Sequence, residues 1–312
     1  MSIPATTNGP RVQQMVVISG KGGTGKTSVV AALASLAANT VLADCDVDAA
    51  DLSLVLDPQQ RRREVFHSGV VAQILADRCS GCGECMVHCR FGAIAVAETG
   101  RPHARNPVYT VDPLACEGCG LCSHVCTCHA VQILEAERGE WFIADTRNGP
   151  LVHARLGVGG ENSGKLVTLV RDQAQDIARQ QRARMVLIDG PPGIGCPVIA
   201  SVTGTDLVLA VTEPTVSGSH DLARVAELVK NFDLPLAVCI NKHDLNPDMA
   251  GQIKEFCAAR GLPLVGELSY DLAVVQAQIE GKSVVEHGES AVATEMKQMW
   301  RIVDEMLRSM EA

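Results

Sequence analysis

Short apolar runs recur along this chain, and each ends in a polar or glycine-rich turn. MVVIS (15–19) meets GKGG, MVLID (185–189) meets GPPG, and DLVLAVT (206–212) meets EPT. LAVCIN (236–241) and LVGELS (264–269) end in the same way. Brief Val-, Ile- and Leu-rich runs that do not alternate with polar residues predict strands buried on both faces. Stretches of helical character separate them, among them the alanine-rich SVVAALASLAAN (28–39) and a segment over roughly 162–181. Strand and helix in alternation predict an α/β fold with a mostly parallel, doubly wound sheet. A second strand is expected at VLAD (41–44). The alternation lapses over residues 67–143, around which VYTVD (108–112) and WFIAD (141–145) are the expected strands.

Apolar residues make up 46% and charged residues 20%, the balance of a folded globular chain. With aromatics at 3%, the core must be aliphatic. A net charge of −9 without a basic tract argues against nucleic-acid binding. MSIPATTNGPRVQQ, at the start, is polar and lacks the apolar core of a signal peptide. No stretch approaches the roughly 18 apolar residues of a membrane span, so a cytoplasmic location is expected. In that reducing setting 13 cysteines read as metal or cluster ligands with a remainder, not as disulfides.

GKGGTGKT (20–27) joins the first strand to the alanine-rich helix, the order a phosphate-binding loop requires. Gly20, Gly22, Gly23 and Gly25 let backbone N–H groups close on phosphate oxygens, and Lys21, Thr24 and Ser28 complete the nucleotide-binding stretch. Lys26 is placed to neutralise the β- and γ-phosphates, and Thr27 to offer its hydroxyl to Mg²⁺ at a helix N-terminus. Asp189 ends a buried strand, where parallel sheets bind ligands; it is the expected Walker B acid, holding Mg²⁺ through water. Gly190 to Gly195 follow as a γ-phosphate-sensing turn. Asn241, ending another strand, is the candidate reader of the base edge, with TEPT (212–215) as a candidate pocket wall. GGENSGKL (159–166) approximates the same loop pattern, but Leu166 cannot bind Mg²⁺, so a loop entering a helix is expected there.

Lys21 narrows the class. Lys-Gly-Gly-x-Gly-Lys-Thr over 21–27 resembles the deviant Walker A loop of the MinD/ParA/nitrogenase-iron-protein class. The resemblance implies that Lys21 reaches across a dimer to the partner's phosphates, in a homodimer or a heterodimer with a related ATPase subunit. It implies ATP as the nucleotide, although Asn-Lys-x-Asp at 241–244 also matches the guanine-reading motif of GTPases. It further implies that an aspartate in VLADCDVDAADL (41–52) orients the attacking water; Asp46 matches best, with Asp48 and Asp51 nearby. Lys21, Lys26, Asp46 and Asp189 are thus the expected catalytic set.

CSGCGECMVHC (79–89) returns as CEGCGLCSHVC (116–126), each cysteine 37 residues after its mate. Three cysteines at x2 spacing let one short loop wrap three corners of a cubane, whereas zinc, the rival reading, usually takes pairs separated by longer loops. The duplication resembles a bacterial two-cluster ferredoxin, in which the fourth cysteine ligates the other cluster. That resemblance implies two [4Fe–4S] clusters, one on Cys79, Cys82, Cys85 and Cys126, the other on Cys116, Cys119, Cys122 and Cys89. The proline that usually follows the fourth cysteine is replaced by Arg90 and Thr127. Cys128 reads as a spare packed thiol, Cys196 as a buried structural cysteine, and Cys45, Cys239 and Cys257 as core residues.

The whole plan resembles MinD-superfamily P-loop ATPases with an inserted bacterial-type ferredoxin (α+β) domain. DGPPGIGCPVIAS (189–201), TEPTVSGSHDLARV (212–225) and YDLAVVQAQIEGKSVVE (270–286) carry the likeness beyond the two motifs. It implies a split ATPase domain over 1–66 and 144–312 and an inserted domain over 67–143. It also implies ATP hydrolysis, slow or partner-stimulated. Three tasks suit such a chain. One is a dimeric switch coupling nucleotide state to electron transfer toward a redox partner. Another is a scaffold handing clusters to an acceptor protein; Mrp-type scaffolds carry a C-terminal Cys-x-x-Cys, and none follows residue 128 here. The third is a MinD-like positioning ATPase with a redox-sensing insert. MinD attaches to membranes by a basic amphipathic terminal helix. EMKQMWRIVDEMLRSMEA (295–312) is near neutral to acidic and is expected to pack on the sheet, away from any membrane.

Overall fold

In the computed structural model, which describes residues 11–97, 107–157 and 163–310, the apolar runs form the middle of a nine-stranded sheet. In chain order the elements are β1 (Gln13–Ser19), α1 (Lys26–Leu36), β2 (Thr40–Asp44), α2 (Leu52–Leu56), β3 (Gln59–Ile74), α3 (Glu84–Val87), β4 (Ile94–Val96), β5 (Tyr109–Val111), α4 (Leu121–Val125), β6 (Val131–Thr146) and β7 (Gly149–Leu156). Then follow α5 (Ser163–Gln181), β8 (Met185–Pro192), α6 (Cys196–Val202), β9 (Leu207–Thr212), α7 (Val216–Asn231), β10 (Leu236–Asn241), α8 (Pro247–Arg260), β11 (Leu264–Leu268), α9 (Leu272–Ile279), α10 (Val284–His287) and α11 (Ala291–Ser309). The sheet order is β11-β10-β9-β1-β8-β2-β7-β6-β3. From β11 to β7 the neighbours pair in parallel. Every residue of β1, β2, β9 and β10 is buried, as strands covered on both faces must be.

The chain divides into two compact units. The first comprises, of the described residues, 11–64, 141–155 and 163–310. Its core is aliphatic, with Met15, Leu33, Leu42, Leu187 and Leu209 at 0% exposure. Helix α11 lays Met296, Met299, Val303 and Leu307 into that core, and Gln13 donates to the Leu307 carbonyl at 2.7 Å. The C-terminal helix is therefore a structural member of the unit. Among the described residues no helix is long and apolar enough to cross a membrane.

At the start of β7, Gly149 takes φ 124°, and a Cβ there would run into the Thr40 carbonyl oxygen on β2. Both the left-handed backbone and the close approach demand glycine. Gly149→Ala is expected to destabilise the protein by about 2–3 kcal/mol, read as a lower melting temperature. A melt within about 1 °C of the parent would show that this strand relaxes freely.

The second unit comprises residues 65–97, 107–140 and 156–157. The boundaries expected at 66/67 and 143/144 thus fall at 64/65 and 140/141. Strands β3 and β6 continue through them, which composition cannot reveal. Within this unit β4 and β5 pair antiparallel, Ile94 with Val111 and Val96 with Tyr109. Ala72, Cys85, Ile94, Tyr109, Cys122, Cys126, Ala130 and Val131 form its core. The sequence repeat is also a backbone repeat: Gly83 and Gly120 cap α3 and α4 with nearly the same dihedrals, φ 81° and ψ −5° against φ 77° and ψ −5°.

Candidate nucleotide site and two thiol-lined cavities

A cavity of about 880 Å³ lies at the C-terminal ends of β1 and β10, where a parallel sheet delivers its strand-end side chains. Residues 22–28 line it, with Asp46, Asp48, Asp51 and Asn241. Gly25 precedes α1 with φ 83°, and a Cβ on it would strike the Asn241 Nδ2. Asn241 Nδ2 donates to the Thr24 carbonyl at 2.7 Å, tying the loop to the end of β10.

Lys26, 6% exposed, carries its ammonium into an acidic cluster. Nζ lies 2.5 Å from Asp189 Oδ1 and 3.4 Å from Asp46 Oδ2. Asp44 stands beside Asp189 in the parallel register and is fully buried. Burial pushes the Asp44 carboxyl well above the usual carboxylate range; the neighbouring Asp189 charge adds to this and Lys26 opposes it. Burial raises Asp46 as well, with Lys26 again pulling it down. Burial works against the Lys26 charge, but Asp189 first and then Asp46 and Asp44 hold that ammonium above its ordinary value. Asp189 Oδ2 is buried and has no hydrogen-bond partner among the described residues. A buried free acceptor next to the Lys26 ammonium, with Thr27 on the cavity wall, fits Mg²⁺ and its bound water, so Asp189 and Thr27 are the residues that would hold the ion.

The second unit contains two cavities walled by cysteines. Cys79, Cys82, Cys85 and Cys126 line one, together with Cys128, Ser80 and Tyr109. Cys89, Cys116, Cys119 and Cys122 line the other, together with Phe91 and Ile94. Each wall takes three cysteines from one motif and one from the other. Burial pushes the Cys85 thiol up to about 11 and raises that of Cys122; neighbouring sulfurs add to both. Among the described residues no three His, Cys, Asp or Glu side chains converge closely enough for one metal ion.

Residues 15–284 match the family model described as the CobQ/CobB/MinD/ParA nucleotide binding domain. The chain belongs to this family. An uncharacterized protein of Methanocaldococcus jannaschii, MJ0578, is 35% identical over 242 residues, spanning 75% of this chain and 80% of its own length. Among solved structures, the septum site-determining protein MinD from Pyrococcus horikoshii, complexed with Mg-ADP, matches with a TM-score of 0.56 at 18% identity, covering 97% of this chain and 99% of that one. The cell division ATPase MinD of Pyrococcus furiosus matches with a TM-score of 0.53 at 18% identity, over 95% and 100%. At these identities the structural likeness is one of fold: a MinD-like α/β P-loop domain with a mostly parallel sheet.

Within this MinD/ParA-family fold the expected site residues fall into two groups. Residues 22–28, Asp46 and Asn241 border the cavity, and Asp189 meets it through Lys26. Gly20 and Lys21 stand outside that lining. Lys21 Nζ turns to Ser217 Oγ at 3.2 Å, Thr215 Oγ1 at 3.5 Å and Glu213 Oε2 at 3.5 Å. Asn241 is engaged with the loop backbone, which makes it a positioning residue as well as a pocket wall. In the Asn-Lys-x-Asp string, Asp244 Oδ1 accepts the Tyr270 N–H at 2.7 Å and Lys242 pairs with Glu213 at 2.6 Å. That carboxylate is held by backbone, not presented to a guanine. Of GGENSGKL, residues 159–162 lie outside the described residues, and α5 begins at Ser163.

Two readings of single residues change. Cys196, expected to be buried, is exposed at the first turn of α6, where Gly195 delivers it to the surface. Asp44 did not enter the expected site, yet its Oδ1 accepts the Asp46 N–H at 3.2 Å and its Oδ2 the Leu52 N–H at 3.3 Å. It therefore braces the turn that carries Asp46. The available signal was its place at the end of a buried strand, the same signal that marked Asp189. Cys45, Cys239 and Cys257 are buried, as expected of core residues.

Proposed function

We propose that this protein is an ATP-dependent dimeric switch of the MinD/ParA type that carries two [4Fe–4S] clusters. Family membership and the Lys26–Asp46–Asp189 cluster support ATP binding and hydrolysis. The observation that carries the cluster reading is the sorting of the eight motif cysteines between two walls, four to each, with the fourth sulfur borrowed from the other motif. Crosswise ligation of paired cubanes needs that arrangement. A single zinc ion needs four sulfurs within about 2.3 Å of one point, whereas these border a cavity. Cys79, Cys82, Cys85 and Cys126 would hold one cluster, and Cys89, Cys116, Cys119 and Cys122 the other. Such clusters supply one-electron transfer when bound.

The comparisons favour a second reading of what the switch serves. Solved structures sharing the fold include cell-division MinD proteins and a putative plasmid partition protein, which suits a positioning ATPase with a redox-sensing insert better than an electron carrier. Redox titration of the anaerobic protein with and without ATP separates the two. A coupling of about 1–3 kcal/mol moves a potential by roughly 45–130 mV and supports gated electron transfer. Unchanged potentials with ATP-dependent binding to liposomes or to a cellular scaffold support positioning.

Lys21 tests the dimer. With ATP the parent chain is expected to double its mass in light scattering. Lys21→Ala should remain a monomer and lose about 10²-fold or more in turnover, since a cation supplied across an interface is worth about 10³–10⁵ in kcat. Nucleotide affinity should change by less than about threefold, because Lys21 Nζ lies outside the chain's own cavity. An ATP-dependent dimer of full activity in Lys21→Ala would overturn the role.

A further inference from the structure

The cavity of Cys79, Cys82, Cys85 and Cys126 has five thiols on its wall, not four. The fifth is Cys128. Its sulfur lies 3.6 Å from that of Cys126. A tight turn places it there: the His129 N–H donates to the Cys126 carbonyl at 3.1 Å, and His129 takes a left-handed φ of 52°. The two sulfurs also share donors. The Ala130 N–H lies 3.3 Å from the Cys126 sulfur, and the Ser80 and Ala130 backbone N–H groups both reach that of Cys128. Backbone N–H groups aimed at sulfur are the environment in which cluster-ligating thiolates are held.

The internal repeat provides the comparison. The mate of Cys126 is Cys89, and the mate of Cys128 is Phe91. Phe91 lines the other cavity beside Cys89. The residue two places after the fourth cysteine thus faces a cavity in both halves. In the first half it offers a hydrocarbon ring; in the second it offers a sulfur. Thr127 fills the position where the resembled ferredoxins place proline, so the turn that swings Cys128 inward is this chain's own.

We propose that Cys128 is an alternative ligand position of this cavity, interchangeable with Cys126. The inference rests on the two-cluster reading above. The exchange is not a redox step: the iron–sulfur bond to Cys126 breaks as that to Cys128 forms, and the Cys128 proton passes to Cys126.

Iron and acid-labile sulfide counts on the anaerobic full chain test it, with EPR of the reduced protein. The parent should hold about eight iron and eight sulfide. Cys126→Ala and Cys128→Ala should each keep about eight iron, with distinct EPR signals. Cys126→Ala/Cys128→Ala should fall to about four, the remainder reporting that the unit is folded. Loss of first-cavity iron from Cys126→Ala and Cys126→Ser alike, with Cys128 intact, overturns the proposal. So does a double variant that keeps all its iron. A parent chain that binds neither iron nor sulfide removes this inference and the cluster reading together, whereas a parent with eight iron leaves the cluster reading standing whatever Cys128 does.

Discussion

Replacing Lys26 with methionine should cripple ATP turnover and also lower the melting temperature of the nucleotide-free protein. Methionine keeps most of the side-chain volume and removes the charge. What remains is Asp44, Asp46 and Asp189 in one buried cluster, with no other cation among the described residues in ion-pair distance of Asp189 Oδ1 or Asp46 Oδ2. Removing one partner of a buried ion pair costs about 3–5 kcal/mol. The loss should depend on pH with a definite sign. Asp44 and Asp46 already have raised carboxyl values, and Lys26 is the group that lowers both. In the variant they rise further. A group whose folded value is raised favours the folded state below its unfolded value, and that contribution is lost as pH rises through the folded value. The gap in melting temperature between variant and parent should therefore be small near pH 4 and widen toward neutrality. A gap that stays constant between pH 4 and pH 8 would show that the Asp44 and Asp46 carboxyls do not depend on this ammonium. Turnover should drop by about 10²–10³-fold or more, because the charge that would meet the developing negative charge on phosphate is gone.

The sequence made the middle of the sheet legible and its far edge illegible, for one physical reason. β1, β8, β9 and β10 are covered on both faces, so each is written as an uninterrupted apolar run. β3 reads QQRRREVFHSGVVAQI, with most positions exposed, and as the last strand of the sheet it has a neighbour on one side alone. Nothing in its composition announces a strand. β7 begins at Gly149, whose role is visible in the approach to Thr40 and not in its neighbours along the chain. The phosphate-binding loop was legible because its function is local: glycines, a lysine and a threonine act within eight residues. Asn241 and Lys21 are legible in the sequence as chemistry but not as geometry, and Asp44 is not picked out by it at all. Their partners lie on Thr24, Ser217 and Leu52, and only the fold brings these together. Cys196 reads in the sequence as a structural cysteine of the interior, but it is exposed at the start of α6, a position that nothing local in the sequence marks.

Alanine at Cys89 is expected to empty the same cavity as alanine at Cys116, although Cys89 belongs to the other motif. Cys89 shares its wall with Cys116, Cys119 and Cys122 and is absent from the wall of Cys79, Cys82 and Cys85. On the two-cluster proposal, each single variant should lose about half of the roughly eight iron that two [4Fe–4S] clusters would bring. The decisive measurement is the pattern of non-additivity. Cys89→Ala/Cys116→Ala should keep about four iron, because both changes strike one cluster and the second removes nothing further. Cys89→Ala/Cys79→Ala should keep almost none, because the two changes strike different clusters although both lie in the first motif. Residue 91, the mate of Cys128, is phenylalanine, so no neighbouring thiol can stand in for Cys89. The reverse pattern, with Cys89 additive to Cys116 and redundant with Cys79, would mean that each motif serves its own site. The duplicated loops would then be two independent beads, and the crosswise walls of the two cavities would have no role in ligation.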